Sequence, residues 1–204
     1  MEFVTISDGL QRAKSAAIDS LTDGGVVVLP TDTVYGVFAL PRHEASIARI
    51  FSLKRRPGSM PLPLLIADID QLPLVSSYES QKLTSLLQAF WPGPLTVVLP
   101  NPLLEMSVVV SEMGTIAVRC PDNRLIRQIA GVLGPLAATS ANVHGEPTPE
   151  SASEIAKELA GVDLVVDGGV LKDGLASTLV DLSQSDTVIL REGPIKSEAI
   201  LNLV

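Results

Sequence analysis

At 204 residues, with 46% hydrophobic and 19% charged residues and a mean hydropathy of +0.36, the chain can bury a substantial core, which excludes a disordered protein. Fifteen Lys and Arg stand against 23 Asp and Glu, a formal charge of −8 that argues against broad coating of nucleic acid or anionic membrane, so any polyanion must meet a local basic patch. Cys120 is the only cysteine, which rules out an internal disulfide and fits a reducing, cytoplasmic setting.

The opening MEFVTISDGL has neither a basic n-region nor an apolar h-region, so no export signal is expected. With Ser7 as N-cap, Leu10, Ala13, Ala17 and Leu21 recur at helical spacing until Gly24 and Gly25. A buried strand follows at 26–29, then a helix over about 44–54 with Ile47, Ile50 and Phe51 inward and Lys54, Arg55 and Arg56 at its end before Pro57. PLLIA at 63–67 reads as a strand, and Leu83, Leu86, Leu87 and Phe90 as a helix stopped by WPGP. The 22 uncharged residues from 83 to 104 are broken by Pro92, Pro94, Pro100 and Pro102, so no membrane helix is expected there.

Strands LTVVL at 95–99 and TIAVR at 115–119 precede a helix opened by Asp122 and carrying Leu125, Ile126, Ile129 and Leu133. LAATS at 136–140 is a strand that exits into a loop, ANVHGEPTP. Ser151 with Glu154 forms a capping box for a helix through about 160, and strands follow at 163–169, 177–182 and 187–193. This irregular alternation predicts an α/β fold with a mixed, partly antiparallel sheet. No repeat, charge block or long linker divides the chain, so one domain over 1–204 is expected.

Strand ends are the natural sites in open α/β sheets, and here they collect polar groups. Thr31, Asp32, Thr33 and Tyr35 follow one strand, Arg119 ends a second, Thr139, Ser140 and Asn142 end a third, and Arg191 ends a fourth. With Lys54 and Arg56 the set is cationic and hydroxyl-rich, which suits phosphate. Neither GxxxxGK[ST] nor GxGxxG occurs, and with two histidines, no CxxC, no HExxH and no GxSxG, zinc and Ser-His-Asp chemistry are poorly supported. Plainer readings stand beside these: Lys54–Arg56 as cations at a helix C-terminus, TSAN and PTDT as turns, Arg119 and Arg191 reaching solvent, Cys120 in the core and His144 on a loop surface.

PTDTVYG at 30–36, KRRP at 54–57, FWPGPLT at 90–96, TIAVRCP at 115–121, TSAN with GEPTP through 149, STLVD at 177–181 and REG at 191–193 occur in the order seen in YrdC-like proteins, which the chain resembles over nearly its whole length. The resemblance implies an open twisted mixed sheet with flanking helices around a deep central cavity, in a short form without a further C-terminal domain. It implies a threonylcarbamoyl-adenylate synthase joining L-threonine, bicarbonate or CO2, and ATP with Mg²⁺ into threonylcarbamoyl-AMP and pyrophosphate. The product serves N6-threonylcarbamoyladenosine formation at tRNA position 37 through a separate transferase. By the same resemblance Thr31, Tyr35, Arg119 and the backbone near Ala138 hold threonine. Lys54, Arg56, Ser140 and Asn142 grip the phosphates, and Thr115, Thr148 and Arg191 complete the nucleotide site.

In that mechanism the threonine nitrogen captures CO2, and the resulting N-carboxylate attacks the α-phosphorus and expels pyrophosphate. Asp32 is either a base or part of the turn. Phe38 stands where the family commonly has glycine, Met60 where a Lys or Asn often approaches ATP, Leu65 where some members place a histidine, and His144 for a common serine. Two other readings are a carbamoyl-adenylate-forming relative and a double-stranded RNA or tRNA binder that uses a positive rim; overall acidity counts against the binder. Lys54 and Arg56 are expected at a polar helix end, outside the core.

Overall fold

The computed structural model describes residues 1–58, 60–104, 108–171 and 174–204. Among them ten strands form one open, twisted mixed sheet: β1 (Glu2–Thr5), β2 (Val27–Leu29), β3 (Gly36–Ala39), β4 (Leu64–Leu65), β5 (Leu95–Leu99), β6 (Ile116–Arg119), β7 (Leu136–Ser140), β8 (Leu164–Asp167), β9 (Thr178–Asp181) and β10 (Val188–Arg191). Their spatial order is β1-β8-β2-β3-β7-β4-β6-β5-β9-β10. The helices are α1 (Leu10–Thr22), α2 (Glu44–Lys54), α3 (Gln81–Phe90), α4 (Arg124–Leu133), α5 (Ala152–Glu158) and α6 (Ser197–Leu201).

The continuous apolar run VVVL follows from burial on both sheet faces, because successive strand side chains point opposite ways. Val26, Val28, Val37, Ala39 and Val165 join one cluster with Ile47 and Ile50 of α2, Leu83 and Leu86 of α3, and Ile155 of α5. Val27, Leu29, Phe38, Leu164 and Val166 join the other, with Ala13, Ala17 and Leu21 of α1 and Leu125, Ile126 and Ile129 of α4. A one-residue slip of β2 would exchange these sets, so its register is strongly specified.

Two caps differ from expectation. Ser7 lies in a 3-10 turn, Ile6–Asp8, and Gly9 takes the position before α1. Asn123, not Asp122, caps α4: its side-chain oxygen accepts from Ile126 N at 3.1 Å. β1, β3 and α6 gave no usable sequence signal, since β1 is an edge strand with Glu2 and Phe3 exposed, β3 is four residues buried on both faces, and α6 spans only five residues. The Ser151–Glu154 capping box is present, with Ser151 Oγ and Glu154 bonding reciprocally.

Two features position the polar strand ends. Gly36 pairs with Ser140, which sets the 30–35 connection beside the C-terminal end of β7; a Cβ on Gly36 would stand 2.7 Å from the Phe38 ring, so a side chain there would force that ring to shift. α2 ends in a Schellman motif, with Arg56 N bonding Phe51 O at 2.9 Å and Arg55 N bonding Ser52 O at 3.1 Å. Arg55 adopts the left-handed conformation that motif requires, φ 51°, although it carries a side chain. Arg55→Gly is therefore expected to stabilise the protein by up to about 1 kcal/mol, and Arg55→Val to destabilise it, in urea unfolding; equal midpoints would contradict the cap assignment.

Candidate functional site

The surplus polar residues of PTDT build a clamp on Arg119. Thr31 Oγ1 donates to Val34 O at 2.6 Å and accepts from the backbone N–H groups of Thr33 and Val34 at 2.9 and 3.1 Å. Its single proton is thereby spent, so the 2.9 Å contact between the two threonine hydroxyls has Thr33 as donor. Arg119, 5% exposed, donates from Nε to Gly93 O at 2.9 Å, from NH1 to Thr33 Oγ1 at 2.9 Å and from NH2 to Asp32 Oδ1 at 2.6 Å. Proton donation thus runs one way, from Arg119 through Thr33 and Thr31 to the Val34 carbonyl.

Lys54 ends α2 but lies in the interior, 1% exposed, which corrects its expected place at a polar helix end. Its ammonium donates to Ser140 O at 2.5 Å, Asn142 O at 2.6 Å and Asn142 Oδ1 at 3.2 Å. Burial, with a smaller contribution from Arg56, pulls its pKa down to about 8. Asn142 is the hub of the loop after β7: Oδ1 also accepts from Ser140 Oγ and Thr148 Oγ1, and Nδ2 donates to Val143 O and Glu146 O. The backbone of that loop is tied to α2 by His144 N bonding Lys54 O at 2.7 Å.

Arg56 is half-buried and donates to Met60 O at 3.2 Å and Pro61 O at 3.3 Å. Arg191 donates to Ser177 O at 2.9 Å and Ser177 Oγ at 3.3 Å, and Ser177 Oγ meets Thr96 Oγ1 at 2.7 Å. Burial lowers the pKa of Arg56, Arg119 and Arg191, and Arg119 lowers that of Arg191 further. Two buried cations, Lys54 and Arg119, thus each have a less buried cation beside them, Arg56 and Arg191, and among the described residues Asp32 alone forms an ion pair with any of the four. Such a surplus favours binding of an anion.

Tyr35, Ala138 and Thr115 have polar groups engaged within the protein. Tyr35 is fully buried, and its hydroxyl donates to Gly169 O at 2.7 Å and accepts from Gly168 N at 2.9 Å, so its proton is committed to backbone. Burial pushes its pKa up to about 12. Ala138 N donates to Pro63 O at 2.9 Å, so that N–H is also taken. Thr115 lies at the opposite end of β6 from Arg119, with its hydroxyl 2.7 Å from Ser111 Oγ. Leu65 and Phe38 are buried and Met60 is exposed. Cys120 belongs to the core and His144 is exposed, both as expected.

Thr148 borders an open recess of about 270 Å³, shared with Val34, Pro149, Glu150, Leu171, Gly174 and Leu175. Small-molecule sites usually occupy roughly 300–1,000 Å³, and this recess lies just below that range. The Gly174 backbone closes on the Thr33 carbonyl so tightly that a Cβ there would collide with it. Ser177, Thr96 and the Gly93 carbonyl went unnoticed in the sequence, although Ser177 opens STLVD and Gly93 and Thr96 lie in FWPGPLT.

A sequence profile of the Sua5/yciO/yrdC family, described as telomere recombination, matches residues 19–193. The chain is 36% identical over 186 residues to a threonylcarbamoyl-AMP synthase of Pyrococcus abyssi, covering 90% of this chain and 55% of that protein. A threonylcarbamoyl-AMP synthase of Bacillus subtilis is 37% identical over 206 residues, covering 97% and 59%. The chain thus spans somewhat more than half the length of these curated relatives. The crystal structure of P. abyssi Sua5 complexed with L-threonine matches with a TM-score of 0.89 at 33% identity, covering 100% of this chain and 60% of that one.

Two outcomes follow from the geometry. Tyr35→Phe leaves the Gly168 N–H and Gly169 carbonyl without their partner and is expected to cost about 1–3 kcal/mol of stability, measured by urea unfolding; an unchanged midpoint would contradict the buried bond. The folded pKa of Lys54, about 8, lies below its ordinary 10.5, so between these values the unfolded chain binds more protons and stability rises with pH. Unfolding midpoints of the wild type relative to Lys54→Met should rise across that window, and parallel pH profiles would contradict a buried ammonium.

Proposed function

Since the chain belongs to the Sua5/yciO/yrdC family, we propose that it is an L-threonylcarbamoyladenylate synthase, a nucleotidyltransferase using L-threonine, bicarbonate or CO2, and ATP. The names of its relatives support this reading, as does the threonine bound in the solved P. abyssi protein. The observation that carries it within this chain is the buried Lys54 ammonium, held by neutral oxygens only and next to a second cation, Arg56.

In the proposed complex, Lys54, Arg56 and the Ser140 hydroxyl face the phosphates, with Arg191, Thr148 and Thr115 toward the rest of the nucleotide. Asn142 acts chiefly by holding the loop, because both of its N–H protons are spent on backbone carbonyls. Arg119 takes the threonine carboxylate, and Thr31 shapes the turn that holds Arg119. Threonine nitrogen bonds to CO2 and loses a proton; an oxygen of the resulting N-carboxylate bonds to the α-phosphorus as the bond to pyrophosphate breaks. The protein's contribution is to align two anions that repel each other and to neutralise the departing charge.

Mg²⁺ enters this scheme as part of the nucleotide substrate. In the proposed complex phosphate oxygens are its ligands. Transfer of the product to tRNA for N6-threonylcarbamoyladenosine, by a separate transferase in the cytoplasm, completes the proposal. No helix among the described residues is long and apolar enough to cross a membrane.

Incubation with ATP, bicarbonate and threonine is expected to yield threonylcarbamoyl-AMP and pyrophosphate, identified by mass, and omission of either threonine or bicarbonate should abolish it. Arg56→Ala should lower kcat/KM by about 10²–10³-fold with little loss of stability, because its side chain is only half-buried. Product formation independent of threonine, or full turnover by Arg56→Ala, would refute the assignment.

A further inference from the structure

The ion pair between Arg119 and Asp32 is nearly buried, with side-chain exposures of 6% and 12%, yet it is not the two-point pair that arginine and carboxylate favour. One Asp32 oxygen takes a single proton, from NH2, while Thr33 takes one from NH1 and Gly93 the one on Nε. A guanidinium has five protons. Three are assigned, which leaves one on each terminal nitrogen for a further acceptor.

The pieces of this clamp are themselves fixed. Thr31 organises the turn through its three backbone bonds, the Asn123 amide donates to Pro30 O at 3.2 Å at the start of the segment, and the Gly174 backbone packs against the Thr33 carbonyl. Arg191 stands close enough to Arg119 to repel it, and Asp32 supplies the negative charge that holds Arg119 in place.

We infer that Asp32 is a positioning residue: with Thr33 and Gly93 it orients Arg119 so that its two remaining terminal N–H groups meet the carboxylate of the amino-acid substrate, and it thereby sets the preference for substrates that carry that carboxylate. The inference rests on the function proposed above and deepens it. Asp32 does not touch the reacting atoms in this role, and it takes no proton in the reaction.

The test compares steady-state turnover of L-threonine and L-threoninamide by the wild type, Asp32→Ala and Asp32→Asn. Asp32→Ala is expected to raise the threonine KM by about tenfold or more, to leave the ATP KM nearly unchanged, and to lower the preference for threonine over threoninamide in proportion. Asp32→Asn keeps an oxygen for NH2 but loses the charge, and should recover part of that preference; if Asp32→Ala does not fold, Asp32→Asn alone should show a reduced preference. An unchanged preference in a folded variant, or equal losses toward threonine and ATP, would overturn the inference while leaving the function in place. A wild type without threonine-dependent turnover would overturn both.

Discussion

Two cations inside the protein, Lys54 and Arg119, constrain everything around them. A charge removed from water must be met by oxygen or lose its proton. The chain meets Lys54 with two carbonyls and one amide oxygen from the 140–142 segment, and Arg119 with one carbonyl, one hydroxyl and one carboxylate. Those oxygens belong to distant parts of the sequence, so the two side chains fasten β7 to α2, and β6 to the 30–35 connection and the turn at Gly93. Satisfying the donors does not neutralise the charge at Lys54, and that residual charge is what an anionic substrate would compensate.

The sheet makes this possible by being covered on both faces. With the parity of β2, β3 and β8 divided between two apolar clusters, the strand ends are free to carry polar groups while the strand middles are held by packing. Antiparallel pairing of β3 with β7 then places the 30–35 connection beside Ser140, and the parallel pairing of β5 with β9 sets Thr96 close to Ser177. The contacts that hold Lys54 and Arg119 join residues 26 to 88 positions apart, so there the sheet, not local sequence, sets the geometry.

Much of this was legible beforehand because it depends on local chemistry. The helical spacing of Leu10 to Leu21, the capping box at Ser151 and the strand LTVVL all announce themselves within a few residues, and the helix and strand boundaries differ by little. The seven ordered motifs named the family. What was not legible depends on distance: Lys54 at a helix end looks like a surface cation until α2 is packed against the loop after β7, and Tyr35 looks like a site residue until Gly168 and Gly169 claim its hydroxyl. β3 was hidden because four residues buried on both faces show no alternation, and Ser177 because its partners, Thr96 and Arg191, lie 81 and 14 positions away.

The most direct test of the claim that a phosphate group meets the buried ammonium is calorimetry of ATP binding at pH 8.5 in buffers of different ionisation enthalpy. Burial lowers the Lys54 pKa to about 8 in the free protein, so part of it is neutral at that pH. A bound triphosphate should restore its proton, giving net proton uptake on ATP binding in the wild type and none in Lys54→Met. Binding that exchanges no protons in the wild type, or identical uptake in both proteins, would contradict the account.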